Sequence, residues 1–331
     1  MTKLKTAFVD LHSPMGHLNY INFYIKNLKN IINIIILNSN VKKILKYQNA
    51  FYLNYETRII SKILSLFRLY KILVHQKIDQ VIFYGYDPLY FYFFVRLLIK
   101  KDIKVYVVEH DTLNTNKFIR IFFNKFIDKK IIRLVYNQEK KNFIKNEFNM
   151  KSTIINLPIL KDLEVVEKMY SENSKKFTKF LLNTKHIKIL IPTRYYVDKK
   201  SLYSFIKKNQ KGTYFIALSK KINFEFNNLI KLKNFKSKIL KNIDFIYLAN
   251  DNKLYNTRVS SWLYTSIAYN KKIILEKSIT CNYEKKRFPK FIIESKNFKP
   301  IVPKNLKKKI HEKFVFKFNQ KIITDMENIL S

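Results

Sequence analysis

The sequence predicts an α/β protein made of two doubly wound halves, each a mostly parallel sheet flanked by helices. Short apolar runs of strand length alternate with longer amphipathic stretches through the first half of the 331 residues. A polar stretch from Glu167 to Lys185, rich in Ser, Asn and Lys, then breaks the rhythm, and a second alternating series follows it. Strands alternating with helices of that length build parallel βαβ units, and a polar break between two such series marks a domain boundary. The expected domains are residues 1–165 and 166–331.

In the first half the expected strands are Ala7–Leu11, Ile31–Leu37, Val81–Tyr84, Ile103–Val108, Ile131–Tyr136 and Thr153–Leu157. The helical stretches between them are Leu18–Leu28, Glu56–His75, Leu89–Lys100, Lys117–Ile127 and Gln138–Asn146. The second half offers strands at Ile187–Ile191, Tyr214–Leu218, Phe245–Leu248, Lys272–Leu275 and Phe291–Ile293. Its helices are expected at Lys200–Lys208, Ser260–Tyr269 and His311–Leu330, the last packing back across the first domain.

Composition narrows the function classes. Hydrophobic residues make up 47% and aromatics 15%, which is enough for two substantial cores and excludes disorder. With three glycines and seven prolines, collagen-like and linker-like chains are excluded as well. The formal charge of +40 favours polyanions, anionic bilayers or phosphate-bearing substrates. An AT-rich coding bias towards Lys, Asn and Ile accounts for part of that charge, on solvated faces.

A single cysteine, Cys281, excludes an internal disulfide and a cysteine metal cluster, and suits a reducing compartment. The apolar run near the N-terminus is too short for a signal peptide. The one stretch of membrane-spanning length, Val81–Ile99, holds Asp87, Pro88 and Arg96. A spanning helix needs ~20 nearly uncharged residues, so this stretch reads as a strand, a turn and a helix. The expected location is cytoplasmic, peripheral on the inner membrane.

Open α/β sheets bind ligands beyond the carboxyl ends of their strands, so the informative residues should directly follow strands. Ser13-Pro14-Met15-Gly16-His17-Leu18 follows the first strand. Gly16 permits a tight turn and leaves room for a ligand, and His17 opens the next helix. A neutral imidazole there can take a proton from a hydroxyl; a surface histidine capping the helix is the plainer alternative. Asp87, in Gly85-Tyr86-Asp87-Pro88, also lies between a strand and a helix. It can orient the imidazole, or it can cap its own helix with Pro88 in the first position. His110 and Asp111 follow the strand Ile103–Val108. His110 is either a rival base or a buried histidine bonded to a carbonyl.

The loop Ser13-Pro14-Met15-Gly16-His17-Leu18-Asn19-Tyr20 resembles the first loop of inverting GT-B glycosyltransferases, in which Pro and Gly-His follow the first strand. The resemblance implies two facing Rossmann-like domains with a C-terminal helix, His17 as general base and Asp87 as its partner. Tyr20 stands near the place of a later Pro in that pattern. His110-Asp111 is similar to the pair that touches the transferred sugar in retaining members.

In the second half, Ile191-Pro192-Thr193-Arg194 and Asp198-Lys199-Lys200 resemble the Gly-Arg … Lys-Gly signature that grips the donor diphosphate, with Thr193 and Lys200 at the Gly positions. Arg258-Val259-Ser260-Ser261-Trp262 and the helix after it resemble the donor-binding helix of the family. A helix N-terminus suits phosphate, and a fork-shaped guanidinium suits it too. The donor contacts implied are Arg194, Lys199, Arg258, Ser260, Ser261 and Thr265. An ordinary capped helix with Trp262 in the core is the alternative. Thr257 and Thr265 stand where retaining members carry two glutamates, which points to inversion.

No metal motif and no Gly-x-Gly-x-x-Gly or Walker loop is present, so neither a metal nor a dinucleotide cofactor is expected. The expected function is transfer of a sugar from a nucleotide-sugar donor to a surface polysaccharide or lipid-linked glycan, on an anionic membrane. A basic protein that stacks nucleic acid on its aromatics is one alternative, although no nucleic-acid module is recognisable and no specific nucleic acid is expected. A catalytically inactive GT-B-like assembly protein is another.

Overall fold

The computed structural model describes residues 4–12, 14–110, 130–161, 185–192, 198–217, 222–232, 237–248, 260–276 and 281–331. The chain forms two compact units, one of Met1–Asn156 with Gln320–Ser331, the other of Leu157–Asn319. The expected boundary at 165 and the expected helix Lys117–Ile127 lie outside the described residues.

The first unit holds a seven-stranded, wholly parallel sheet in the order β3-β2-β1-β4-β5-β6-β7. Its strands are β1 (Thr6–Asp10), β2 (Ile32–Asn38), β3 (Ala50–Leu53), β4 (Gln80–Gly85), β5 (Lys104–Val108), β6 (Ile131–Val135) and β7 (Ser152–Ile154). The helices are α1 (Pro14–Asn27), α2 (Ile59–His75), α3 (Pro88–Ile99) and α4 (Gln138–Phe148). Central strands are buried on both faces, as β1 and β4 are along their whole length. That is why they read as continuous Ile, Val and Phe runs and not as alternations. Under one face, Val9, Val81 and Val105 meet Leu69 and Leu73 of α2 and Val95 of α3. Val81–Ile99 is strand, turn and helix, as its Asp and Pro imply.

The strand order reverses between β1 and β4, so the loops that leave those strands open at one switch point, where open α/β sheets take ligands. In register, Val9 lies beside Phe83 and Asp10 beside Gly85. The ends of β1 and β4 are therefore level, with the end of β5 next in line.

The second unit repeats the plan with six parallel strands in the order β10-β9-β8-β11-β12-β13. These are β8 (Ile187–Ile191), β9 (Thr213–Ala217), β10 (Leu229–Lys231), β11 (Phe245–Leu248), β12 (Lys272–Leu275) and β13 (Ile292–Glu294). The helices are α5 (Lys199–Lys208), α6 (Ser261–Ala268), α7 (Asn282–Arg287) and α8 (Lys308–Leu330). The core of this unit joins Ile189, Phe215 and Tyr247 to Leu202, Phe205 and Ile206 of α5. Phe205 stacks flat on Tyr247 with ring centroids 4.1 Å apart.

Helix α8 begins in the second unit, where His311 Nε2 bonds the Ile267 carbonyl at 2.6 Å. Its final turns belong to the first unit. There Ile322, Ile323, Met326 and Leu330 are buried, each worth about 1.5–3 kcal/mol. Gln80 and Tyr106 donate to the carbonyls of Leu330 and Ile329.

With so few glycines, the chain ends its helices with other residues in the left-handed region. Asn149 closes α4 at φ 52°, and Lys77, Asp102 and Asn270 follow α2, α3 and α6 at φ 50°, 56° and 58°. Asn and Asp tolerate that conformation better than most side chains.

Candidate active site

Asp10 is the last residue of β1 and is completely buried. Its Oδ2 lies 2.8 Å from His17 Nδ1, in the first turns of α1. Its Oδ1 has no hydrogen-bond partner among the described residues. A buried carboxylate is costly unless a cation or donor meets it, and here His17 does. The carboxylate fits because its neighbour across the sheet is Gly85: a Cβ there would stand 2.4 Å from Asp10 Oδ1. Gly85 is thus the residue whose missing side chain makes the Asp10–His17 pair possible.

The His17 ring lies flat on His110, with centroids 4.3 Å apart and planes 16° apart. Tyr84 meets both rings edge-on, at 5.4 Å and 4.6 Å. The Tyr136 hydroxyl lies 3.2 Å from the ring nitrogens of His110 and donates to the Tyr84 hydroxyl at 3.0 Å. Burial, then the charge of His17 and of Lys140, holds the His110 pKa well below that of an ordinary histidine. Burial likewise raises the Tyr84 and Tyr136 phenols well above their usual range. The cluster therefore has neutral hydroxyls and a neutral His110 packed around the one imidazole that holds a carboxylate.

His110 is fixed through its backbone. Lys140, buried near the start of α4, donates its Nζ to the carbonyls of Glu109 and His110. Asn137 caps α4 by accepting from the Lys140 N–H at 2.9 Å. Glu109 pairs with Arg133 in the interior and accepts from the Tyr86 hydroxyl at 2.9 Å.

The expectation that Asp87 orients His17 is corrected by this geometry: the carboxylate on the imidazole is Asp10. Asp87 Oδ2 instead meets Lys62 Nζ of α2 at 2.6 Å. Its backbone starts α3, its carbonyl accepting from Phe91 N–H at 3.0 Å, with Pro88 in the first helical position. Beside it, His12 and Asp87 line a small pocket with Tyr55, Leu66 and Phe91. Those apolar walls lower the His12 pKa against the pull of Asp87 and Asp10.

Gly16 also departs from expectation. It sits inside the first turn of α1 without a positive φ, so no tight turn requires it. A Cβ there would meet nothing within 4 Å, so the space beside His17 remains. The two rival histidines, His17 and His110, prove to be parts of one cluster. Asp10, Gly85, Tyr84 and Tyr136 escaped the sequence reading. The signal for Asp10 was an acid closing a fully buried, mostly apolar strand.

In the second unit, Lys199 is the exposed first residue of α5, after Asp198, which caps that helix by accepting from Ser201 N–H at 3.1 Å. Ser260 precedes α6 with no side-chain capping bond, Ser261 is exposed and Thr265 half-buried. Arg194, Arg258 and Asp111 lie outside the described residues. Among the described residues, no three His, Cys, Asp or Glu side chains group as metal ligands do. No helix among them is long and apolar enough to cross a membrane.

No protein-family model matches the chain. No curated protein matches its sequence. Solved structures do match its fold. A glycosyltransferase from Rickettsia africae aligns over 100% of this chain and 94% of its own, with a TM-score of 0.61 at 14% identity. Anabaena HepE in complex with UDP-glucose aligns over 99% and 94%, with a TM-score of 0.56 at 9% identity. A UDP-N-acetylglucosamine 2-epimerase from Rickettsia bellii aligns over 99% and 96%, with a TM-score of 0.52 at 12% identity. The chain thus has the two-domain Rossmann-like α/β fold of GT-B enzymes, with a terminal helix.

Proposed function

We propose that this chain is a glycosyltransferase that moves a sugar from a nucleotide-sugar donor to a hydroxyl acceptor, with His17 as the general base. The observation that carries the reading is the buried Asp10 carboxylate 2.8 Å from His17 Nδ1, at the switch point of the first sheet. A carboxylate on Nδ1 fixes the tautomer, leaves Nε2 to accept a proton, and stabilises the imidazolium that results. In a single displacement the acceptor oxygen bonds to the anomeric carbon as the bond to the donor phosphate breaks. The acceptor proton passes to His17, and the nucleotide leaves with the electron pair. The anomeric centre is inverted.

The donor diphosphate is assigned to Arg194, Lys199, Arg258 and the start of α6 with Ser260, Ser261 and Thr265. Cations and helix N–H groups there stabilise the charge that develops on the leaving group, and the reading requires no metal. The acceptor is proposed to be a surface polysaccharide or a lipid-linked glycan, assembled on the cytoplasmic side of an anionic membrane. The HepE complex with UDP-glucose and the UDP-N-acetylglucosamine 2-epimerase among the fold relatives support a donor of this class.

A thermal-shift screen with UDP, GDP, CMP and dTDP tests the donor, and one nucleotide should stabilise the chain selectively. His17→Ala should keep that stabilisation and lose transfer. Epimerisation of the donor sugar without any acceptor would replace transfer by isomerisation. Indifference to every nucleotide, with tight salt-sensitive binding to oligonucleotides, would favour the nucleic-acid reading.

A further inference from the structure

Surface helices of a globular protein bury an apolar stripe and show water a polar face. Helix α5 obeys: Leu202, Phe205 and Ile206 are buried, and its lysines are exposed. Helix α2 does not. Ser65, Leu69 and Leu73 face the core, yet the opposite side presents Ile59, Ile60, Ile63, Leu64, Phe67 and Val74 to solvent. At 3.6 residues per turn these six fall on one continuous face. Ile60 is 73% exposed and Phe67 57%. Apolar side chains so closely grouped mark a surface that binds something.

Charge identifies the occupant. Arg68, Lys71 and His75 are all exposed and border the apolar face along one side. Helix α2 contains no Asp or Glu. The Lys71 ammonium lies 4.7 Å from the Phe67 ring centre, a cation beside the apolar face. Protruding aliphatic and aromatic groups edged by cations suit the boundary between headgroups and acyl chains of an anionic bilayer. A second copy fits less well. An isologous contact through this face would give Arg68 and Lys71 no acid on the other copy of α2 to pair with, on chains that each carry a formal +40.

We infer that the solvent face of α2 is a docking surface for an anionic lipid bilayer, with Ile60, Ile63 and Phe67 entering the interface and Arg68 and Lys71 meeting lipid phosphates. This assignment stands on the helix alone and holds whether or not the chain transfers a sugar.

Flotation of the full chain with phosphatidylglycerol–phosphatidylcholine vesicles, and with phosphatidylcholine alone, tests it. The chain should float with the anionic vesicles and much less with the neutral ones. The triple variant Ile60→Ser, Ile63→Ser, Phe67→Ser should lower partitioning roughly tenfold or more. Its melting temperature should be unchanged, because those side chains are exposed. Arg68→Gln with Lys71→Gln should weaken binding several-fold and reduce its salt dependence. Lys299→Gln with Lys304→Gln, on an exposed surface of the second unit, should leave binding as it was. A Phe67→Trp variant should shift its emission to the blue on anionic vesicles. The inference is overturned if the triple variant floats like the parent, or if the two lysine changes in the second unit weaken binding as much as those on α2. It is also overturned if the triple variant only dissociates a dimer of the parent.

Discussion

Gly85→Ala is the most searching test of the active-site geometry, because it alters neither histidine nor carboxylate. The new methyl group would stand 2.4 Å from Asp10 Oδ1 and 2.9 Å from its Cγ. Reaching ordinary contact at about 3.4 Å moves the carboxylate by about 1 Å, in a core that resists repacking. The 2.8 Å contact with His17 would then exceed hydrogen-bond range. Overpacking costs ~1–3 kcal/mol, and loss of a charge-assisted hydrogen bond ~1.5–3 kcal/mol more. Denaturant unfolding should therefore show a loss of about 3–5 kcal/mol, and the proposed transfer should fall on the order of a hundredfold. Asp10→Ala supplies the control. With the carboxylate gone, Gly85→Ala should cost less than about 1 kcal/mol, since Gly85 has no positive φ to preserve. If Gly85→Ala costs the same with and without the Asp10 carboxylate, the close approach does not hold the pair in place, and this account of the site fails.

Other consequences can be checked independently. The depressed pKa of His110 means that the unfolded chain takes up a proton near pH 6.5 while the folded one resists it. The contribution of His110 is fully present above that pH and is lost as pH falls, by up to ~1.4 kcal/mol per unit. His110→Gln should flatten the acid side of a stability–pH profile measured by urea titration. Glu109→Gln leaves the buried Arg133 without its carboxylate and should cost ~3–5 kcal/mol in the same assay. Lys77 and Asp102 adopt left-handed backbone without being glycine. Lys77→Gly and Asp102→Gly should each hold stability or raise it by up to ~1 kcal/mol, unlike Gly substitution at residues of negative φ. A calorimetric melt would show the sign.

The βαβ order was legible because strands buried on both faces must be written in Ile, Val and Phe. β1, β4, β8, β11 and β12 all lie within a residue or two of their expected ranges. The strands missed, β3 and β10, sit at sheet edges and are only partly buried; Ala50–Leu53 is apolar but only four residues long, and Leu229–Lys231 has just two apolar residues. Helix α7 is too short to show a period. His17 and His110 were legible because each follows a strand. Their contact was not, because it depends on β1, β4 and β5 ending level at the switch point. Asp10 belongs to the strand itself, where a search of the loops does not look. Tyr84 and Tyr136 read as core because they are core, and their hydroxyls acquire a role only from what the fold sets beside them.

The crossing of α8 has a consequence for the order in which the molecule can be made. Residues 320–331 are synthesised after the whole of the second unit, and they supply Ile322, Met326 and Leu330 to the unit that contains residues 1–156. Gln80 and Tyr106 find their carbonyl partners only in that closing segment. The nascent first unit must therefore wait, its strands formed but one flank uncovered, while the whole of the second unit is synthesised. A stalled chain ending before residue 320 should stay protease-sensitive in its first half, and protection there should arrive only once residues 320–331 have emerged.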